Sequence, residues 1–280
     1  MTTAVVIPET VRKLLASQPI ELPIFHPVAL KLQQMLSNYD YTVDEVASVA
    51  NEDQALASQM LRMANSPMYM GRTKVATLKE VVIRLGAQQV INIAIAASQA
   101  AAHASSNPVL DRYMKNLWLH SHGCALGSRW LALSCGMRGT ADESYLAALL
   151  HDIGKLYLLK AVERLVNAGV ISSNFDDELI MEIFAAMHVE QGVRLVEHWN
   201  FPVIYCDVIR WHHEENWNQV NKMLTIVRFV NKACHNIGLG LTFEPDLDLL
   251  DSEESELLDL TESQIDELCA LLKESRLEDF

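Results

Sequence analysis

At 280 residues, half of them apolar, with a formal net charge of -14, the chain is long enough to bury one large core or two modest ones without crosslinks. Between Leu241 and Phe280 fourteen acidic residues face only Lys273 and Arg276, so -12 of the charge lies there and the rest of the chain is nearly neutral. An acidic tail and a body without a basic stripe argue against nucleic acid or an anionic membrane surface as partners.

Five scattered cysteines, Cys124, Cys135, Cys206, Cys234 and Cys269, form no CxxC pair, which argues against a disulfide framework or a zinc knuckle and fits a reducing compartment. No positive cluster precedes the apolar residues of Met1 to Ile7, and the greasiest stretch, Val90 to Ala104, is interrupted by Asn92, Ser98, Gln99 and His103. Neither export nor membrane insertion is expected, and the expected location is the cytoplasm.

In chain order, Thr42 with Glu45 and Thr77 with Glu80 fit the capping box, in which a hydroxyl and a carboxylate satisfy helix-start donors reciprocally. Val43, Val46, Ala47 and Ala50 follow the first at helical spacing, and Gln54 to Ala64 continues until Asn65-Ser66-Pro67 stops it, proline being unable to continue a helix. Leu78, Val81, Val82 and Leu85 form an apolar face closed by Gly86, and Ala87 to Ala104 reads as a buried helix of small residues. Tyr113 to Leu133 reads as the next helix, broken at Gly136 and Gly139, and Thr140 with Glu143 reads as a third capping box leading to Tyr145 to Leu150. Past Gly240, Glu244-Pro245-Asp246 interrupts the pattern, and Thr261 with Gln264 is expected to cap a last helix over Ile265 to Lys273, in a tail expected to be an appendage or a partner-binding helix. No segment shows sustained period-two alternation, so the fold class is all-α.

The chemistry is concentrated at His151-Asp152-Ile153-Gly154-Lys155, where an apolar helix ends in an imidazole and a carboxylate. Together these offer nitrogen and oxygen ligands to divalent ions. His120 lies on the preceding helix, His188 on the following one, and His212-His213 end the segment that begins at Trp199-Asn200-Phe201-Pro202. Burying that many imidazoles beside one carboxylate is costly without a ligand, so His120, His151, Asp152, His188, His212 and His213 are the candidate metal ligands. His26, His103, His122, His198 and His235 are read as core histidines instead.

The order H, HD, H, HH on successive helices resembles the HD superfamily of metal phosphohydrolases, and the same six residues match its ligands. The resemblance narrows with Glu21-Leu22-Pro23, Pro27 to Leu36, Asn51 to Ala57, Leu61-Arg62-Met63-Ala64-Asn65-Ser66 and Leu85-Gly86, which are similar to the HDOD, or HD-related output, domain of bacterial signalling proteins. It implies an N-terminal extension over 1–19 and an HDOD domain over 20–240, with a helical part over 20–105, an HD/PDEase-like core over 106–240, and an acidic, partly helical tail over 241–280.

Two departures from the catalytic relatives stand out. Glu215-Asn216-Trp217-Asn218 occupies the place of the Asp-Gly-x-Gly-Tyr-Pro element of HD-GYP phosphodiesterases, and Asn231 stands where the superfamily's closing aspartate is expected, which makes it a further candidate ligand with a neutral amide. The resemblance therefore implies a regulatory module with a metal pocket that engages another signalling protein. The alternative is a metal-dependent phosphohydrolase acting on a nucleotide or phosphodiester, with Asp152 bridging two ions and Lys155 steadying the phosphate as catalytic residues. A third reading is a purely structural histidine network. Iron or manganese is the expected cofactor, with nickel, zinc and magnesium as alternatives, and a small phosphorylated ligand fits the pocket's chemistry.

Overall fold

The computed structural model describes residues 9–17, 25–36, 41–66, 69, 71–172 and 177–275. Among them no strand occurs, and the all-α class holds. The helices are α1 (Glu9–Ala16), α2 (Pro27–Leu36), α3 (Val43–Ala50), α4 (Gln54–Ala64), α5 (Leu78–Leu85), α6 (Ala87–Ala102), α7 (Pro108–Ser134), α8 (Ala141–Leu150), α9 (Ile153–Asn167), α10 (Asp177–His198), α11 (Val203–Trp211), α12 (Lys222–Asn236), α13 (Glu253–Leu258) and α14 (Glu262–Ser275). The chain divides into two compact units, Pro23–Ala102 and the combination of Met1–Leu22 with His103–Phe280. None of the described helices is long and apolar enough to cross a membrane.

In the smaller unit α2, α4 and α5 pack on α6, which is buried continuously from Gln89 to Gln99. Both expected capping boxes are formed, Thr42 on α3 and Thr77 on α5. Asn65 works as a staple. Its amide donates to Leu61 O and Val75 O at 2.9 Å each while its Oδ1 accepts from Val75 N, so one side chain closes α4 and fixes the return of the chain. Pro67 and Glu21-Leu22-Pro23 lie outside the described residues.

The larger unit is built around α7, which starts earlier than its apolar pattern predicts because Asn107 caps it through the Val109 and Leu110 amides and Pro108 opens it. Proline at a first helical position loses no intrahelical bond. Helices α8, α12 and α14 pack on α7, and α10 packs on α9 and α11. The third capping box does not form. A 3-10 turn at Arg138–Thr140 runs straight into α8, Thr140 has ψ 3° rather than the extended value of a cap, and its hydroxyl donates back to Met137 O at 3.2 Å.

The acidic C-terminal segment does not stand off as an appendage. Thr261 and Gln264 exchange the bonds expected of them, α14 then lies along α7, and Leu268 and Leu272 are fully buried. A Cβ on Gly127 of α7 would meet Val230 Cγ1 at 2.7 Å and Leu272 Cδ2 at 3.0 Å, so the glycine allows that approach. Burying each leucine contributes about 2 kcal/mol. The charge pattern hid an apolar face, since the acidic residues of α14, Glu262, Asp266, Glu267 and Glu274, occupy its solvent side.

Candidate metal centre

Helices α8 and α9 are interrupted only by His151 and Asp152, which places both side chains at the turn between two buried helices. The turn is possible because α9 crosses α10 at very short range. A Cβ on Gly154 would fall 1.9 Å from the His188 carbonyl oxygen and 2.8 Å from Gly192 N. Glycine at 154 thus brings the helix carrying His188 against the one that Asp152 precedes.

Five histidines gather around that carboxylate. Asp152 Oδ2 lies 3.6 Å from His120 Nε2 and 3.4 Å from His151 Nε2, and Oδ1 lies 3.6 Å from His188 Nε2 and 3.5 Å from His212 Nε2. The ligand atoms of Asp152, His188, His212 and His213 lie within 4.8 Å of one another, and so do those of His120, His151 and Asp152. All six predicted ligands are therefore brought together, in two groups that share Asp152. His213 is the exposed member. Asn231 is buried on α12 with its Oδ1 unpartnered.

Backbone carbonyls fix the chemistry of four of these rings. Nδ1 of His120 faces Leu239 O at 3.0 Å, that of His151 faces Ala148 O at 2.6 Å, that of His188 faces Phe184 O at 2.6 Å and that of His212 faces Ile209 O at 2.8 Å. A carbonyl only accepts, so each Nδ1 carries the hydrogen and a neutral ring turns a bare Nε2 lone pair inward. Burial pushes the His188 ring down to about 4, against the pull of the Asp152 carboxylate, which keeps it neutral near pH 7.

Burial would by itself lift the Asp152 carboxyl, but the Lys155 ammonium outweighs it and holds the group well below the ordinary carboxylate range. Lys155 Nζ donates to Asp152 Oδ2 at 2.6 Å; it is thus engaged by the carboxylate rather than reaching into solvent. Asp152 Oδ1, His188 Nε2 and His212 Nε2 remain buried without a hydrogen-bond partner. Inward-facing lone pairs with one ammonium among them repel each other and lack donors, which is the electrostatic demand a cation meets. The donor set of imidazole nitrogens and a carboxylate suits a divalent transition metal.

Residues far along the chain complete the surroundings. His235, read as a core histidine, stacks on His120 with centroids 5.5 Å apart. It lines, with Leu117, His120, Asp152, Lys155, Leu241 and Thr242, a cavity of about 10 Å³ beside the carboxylate. Burial pushes the His235 ring down to about 3. The other four histidines assigned to the core divide: His103 and His122 are buried against Trp118, His26 is half-buried, and His198 is exposed at the end of α10. Arg228 donates to both Trp211 O and Glu214 O at 2.9 Å, bracketing His212-His213, and is itself held by Glu254 of α13 at 2.9 Å. No local sequence signal marks these residues, because their roles depend on long-range contacts.

Residues 22–215 match the family model of the HDOD domain, most of the chain and the histidine pattern within it. The chain belongs to the HDOD family. Among solved structures it is similar to an HDOD domain protein of unknown function from Geobacter sulfurreducens, at TM-score 0.70 and 22% identity over 96% of this chain and 98% of that one. It is also similar to a protein of Shewanella amazonensis SB2B provisionally named a metal-dependent phosphohydrolase, at TM-score 0.64 and 19% identity over 94% and 97%. A third, provisionally named a signal transduction protein, from Marinobacter aquaeolei VT8, gives TM-score 0.67 and 20% identity over 96% of this chain and 63% of that one. An uncharacterized protein of Treponema pallidum (strain Nichols) is 24% identical over 197 residues, 69% of this chain and 38% of that protein; this HDOD chain spans well under half the length of that relative.

Proposed function

We propose that this HDOD protein is a regulatory module of bacterial signalling whose HD-type pocket binds divalent metal and whose output is the binding of another signalling protein rather than hydrolysis. The observation that carries the metal part is the set of buried, unpartnered acceptors at Asp152, His188 and His212. Asp152 with His188, His212 and His213 would hold one ion, and His120, His151 and the other oxygen of Asp152 a second, with iron or manganese first, and nickel, zinc and magnesium as alternatives. A bound ion supplies Lewis acidity toward phosphate oxygens and ties together the helices that carry its ligands.

The non-hydrolytic part rests on Lys155, whose ammonium is occupied by Asp152, and on Asn231, a neutral amide where the catalytic relatives' closing aspartate is expected. The phosphohydrolase reading is favoured by the completeness of the ligand set and by the likeness to the Shewanella protein. In that reading Asp152 orients the site and Lys155 turns from the carboxylate to a phosphate oxygen.

Metal analysis of full-length protein, purified without a histidine tag or chelator, should find at least one transition-metal ion per chain. Asp152→Ala should remove it and abolish the rise in melting temperature on adding manganese or iron. Wild-type protein free of stoichiometric metal, with an unmoved melting temperature, would refute the pocket. Turnover of bis-p-nitrophenyl phosphate that disappears in Asp152→Ala would replace the regulatory reading with the hydrolytic one.

A further inference from the structure

Cys124 follows His120 by four residues on α7, one helical turn along the same face, and Cys234 faces it from α12. Cys124 Sγ lies 3.5 Å from Cys234 Sγ and 3.7 Å from His120 Nε2. The three ligand atoms fall within 4.8 Å of one another, all three residues are buried, and both cysteines are free. A tetrahedral ion with bonds of about 2.3 Å to sulfur and about 2.0 Å to nitrogen requires ligand atoms about 3.5–3.8 Å apart. Both pairs that involve Cys124 stand at that spacing, and no disulfide joins the sulfurs.

We propose that His120, Cys124 and Cys234 form a second, thiolate-containing metal site, selective for a thiophilic cation of the zinc class. Sulfur ligands favour such ions over manganese or magnesium, which take oxygen and nitrogen donors. Each cysteine binding the ion releases its thiol proton to solvent, and no redox change is involved. The site lies beside the HD-type pocket and uses one of its ligands, because His120 Nε2 is also 3.3 Å from His151 Nε2 and 3.6 Å from Asp152 Oδ2.

That shared atom has a functional consequence. With Nδ1 engaged by Leu239 O, His120 has a single lone pair to give, so an ion between the thiolates withdraws it from His151 and Asp152. The group of Asp152, His188, His212 and His213 keeps all its ligands. A soft ion and a hard ion thereby compete for His120, and the protein's metal state depends on which is abundant. The thiolate site does not rest on the pocket reading, since Asp152→Ala leaves its three ligands in place, whereas the competition for His120 does.

The test uses the full-length, tag-free, reduced protein with cobalt(II) as a spectroscopic stand-in for zinc. A thiolate-to-cobalt charge-transfer band should appear in the wild type and in Asp152→Ala. It should persist when Cys135, Cys206 and Cys269 are together changed to alanine, and vanish in Cys124→Ala/Cys234→Ala, with zinc binding weakened by at least about 100-fold. A wild type without the band, or a band surviving in the double variant with native helical circular dichroism, overturns the site. Should the double variant fail to fold, X-ray absorption of the zinc-loaded wild type decides: two sulfur neighbours support the site, and a shell of nitrogen and oxygen alone refutes it. Failure here with metal still lost in Asp152→Ala leaves the pocket reading standing.

Discussion

Among the described residues of the larger unit two carboxylates are almost completely withdrawn from solvent, Asp152 at 2% exposure and Glu254 at 0%, and their surroundings differ in kind. Glu254 has a cationic donor for each oxygen, Arg228 Nε on Oε1 and Lys232 Nζ on Oε2. Asp152 has one ammonium, on Oδ2, while Oδ1 looks at the bare nitrogens of His188 and His212. A buried charge with all its bonds made is a structural device. One left facing other acceptors is suited to holding a cation, and satisfaction separates the two where burial alone does not.

The largest test removes the geometry on which that contrast depends. Gly154→Ala puts a methyl 1.9 Å from the His188 carbonyl, a backbone atom that cannot rotate away, so α9 and α10 must separate. Urea denaturation should show a loss on the order of 4 kcal/mol, with metal binding reduced alongside. A wild-type midpoint would mean that the close crossing does not hold the pocket.

Glu254→Gln attacks the other side of the contrast. It leaves Arg228 and Lys232 without their counter-charge and should cost about 3 kcal/mol, the low end of the range for breaking a buried pair because Lys232 is partly solvated. Its pH dependence follows. Burial would raise the Glu254 carboxyl, but Lys232 and Arg228 hold it below its ordinary value. Its contribution is therefore complete above the unfolded carboxyl's value of about 4.3 and fades as the pH falls through the lower folded value. The stability gap between wild type and Glu254→Gln should thus narrow below about pH 4; a gap constant down to pH 3 would disprove the assignment.

The Asp152→Asn exchange separates the two by their response to metal. In metal-free protein it breaks the buried pair with Lys155 and should cost about 3 kcal/mol, as Glu254→Gln does. What it alone should abolish is the rise in melting temperature with manganese, which Glu254→Gln should leave in place. An Asp152→Asn protein still stabilised by metal would reverse the roles given to the two carboxylates.

How far this was legible in the sequence depends on the range of the interactions. The six candidate ligands could be read because they come in a fixed order, H, HD, H, HH, on or at the ends of successive helices, and the all-α class because the apolar spacing never alternates. Leu239, whose carbonyl orients His120, and Arg228, which brackets His212-His213, lie outside the 22–215 match and have no motif. In the sequence Glu254 is one of fourteen acidic residues of the tail; only the fold reveals that Arg228 and Lys232, one turn apart on α12, meet it. The spacing of Cys124 and Cys234 marks no pair, because spacing is blind to two helices that pack together.

The smallest effect applies the same criterion to uncharged groups. Thr77 and Thr140 each precede a helix with glutamate three residues on, and in sequence they are indistinguishable. Thr77 accepts from Glu80 N at 3.2 Å and receives the glutamate in return at its own amide, whereas Thr140 makes no cap because the 3-10 turn ahead of α8 already sets the chain in a helical path. Thr77→Ala should therefore cost about 1 kcal/mol and Thr140→Ala less than about 0.5 kcal/mol, measured by urea denaturation. Equal losses would mean that the hydroxyls are equivalent after all and that bond satisfaction is a poor guide to role in this protein, for carboxylates as for threonines.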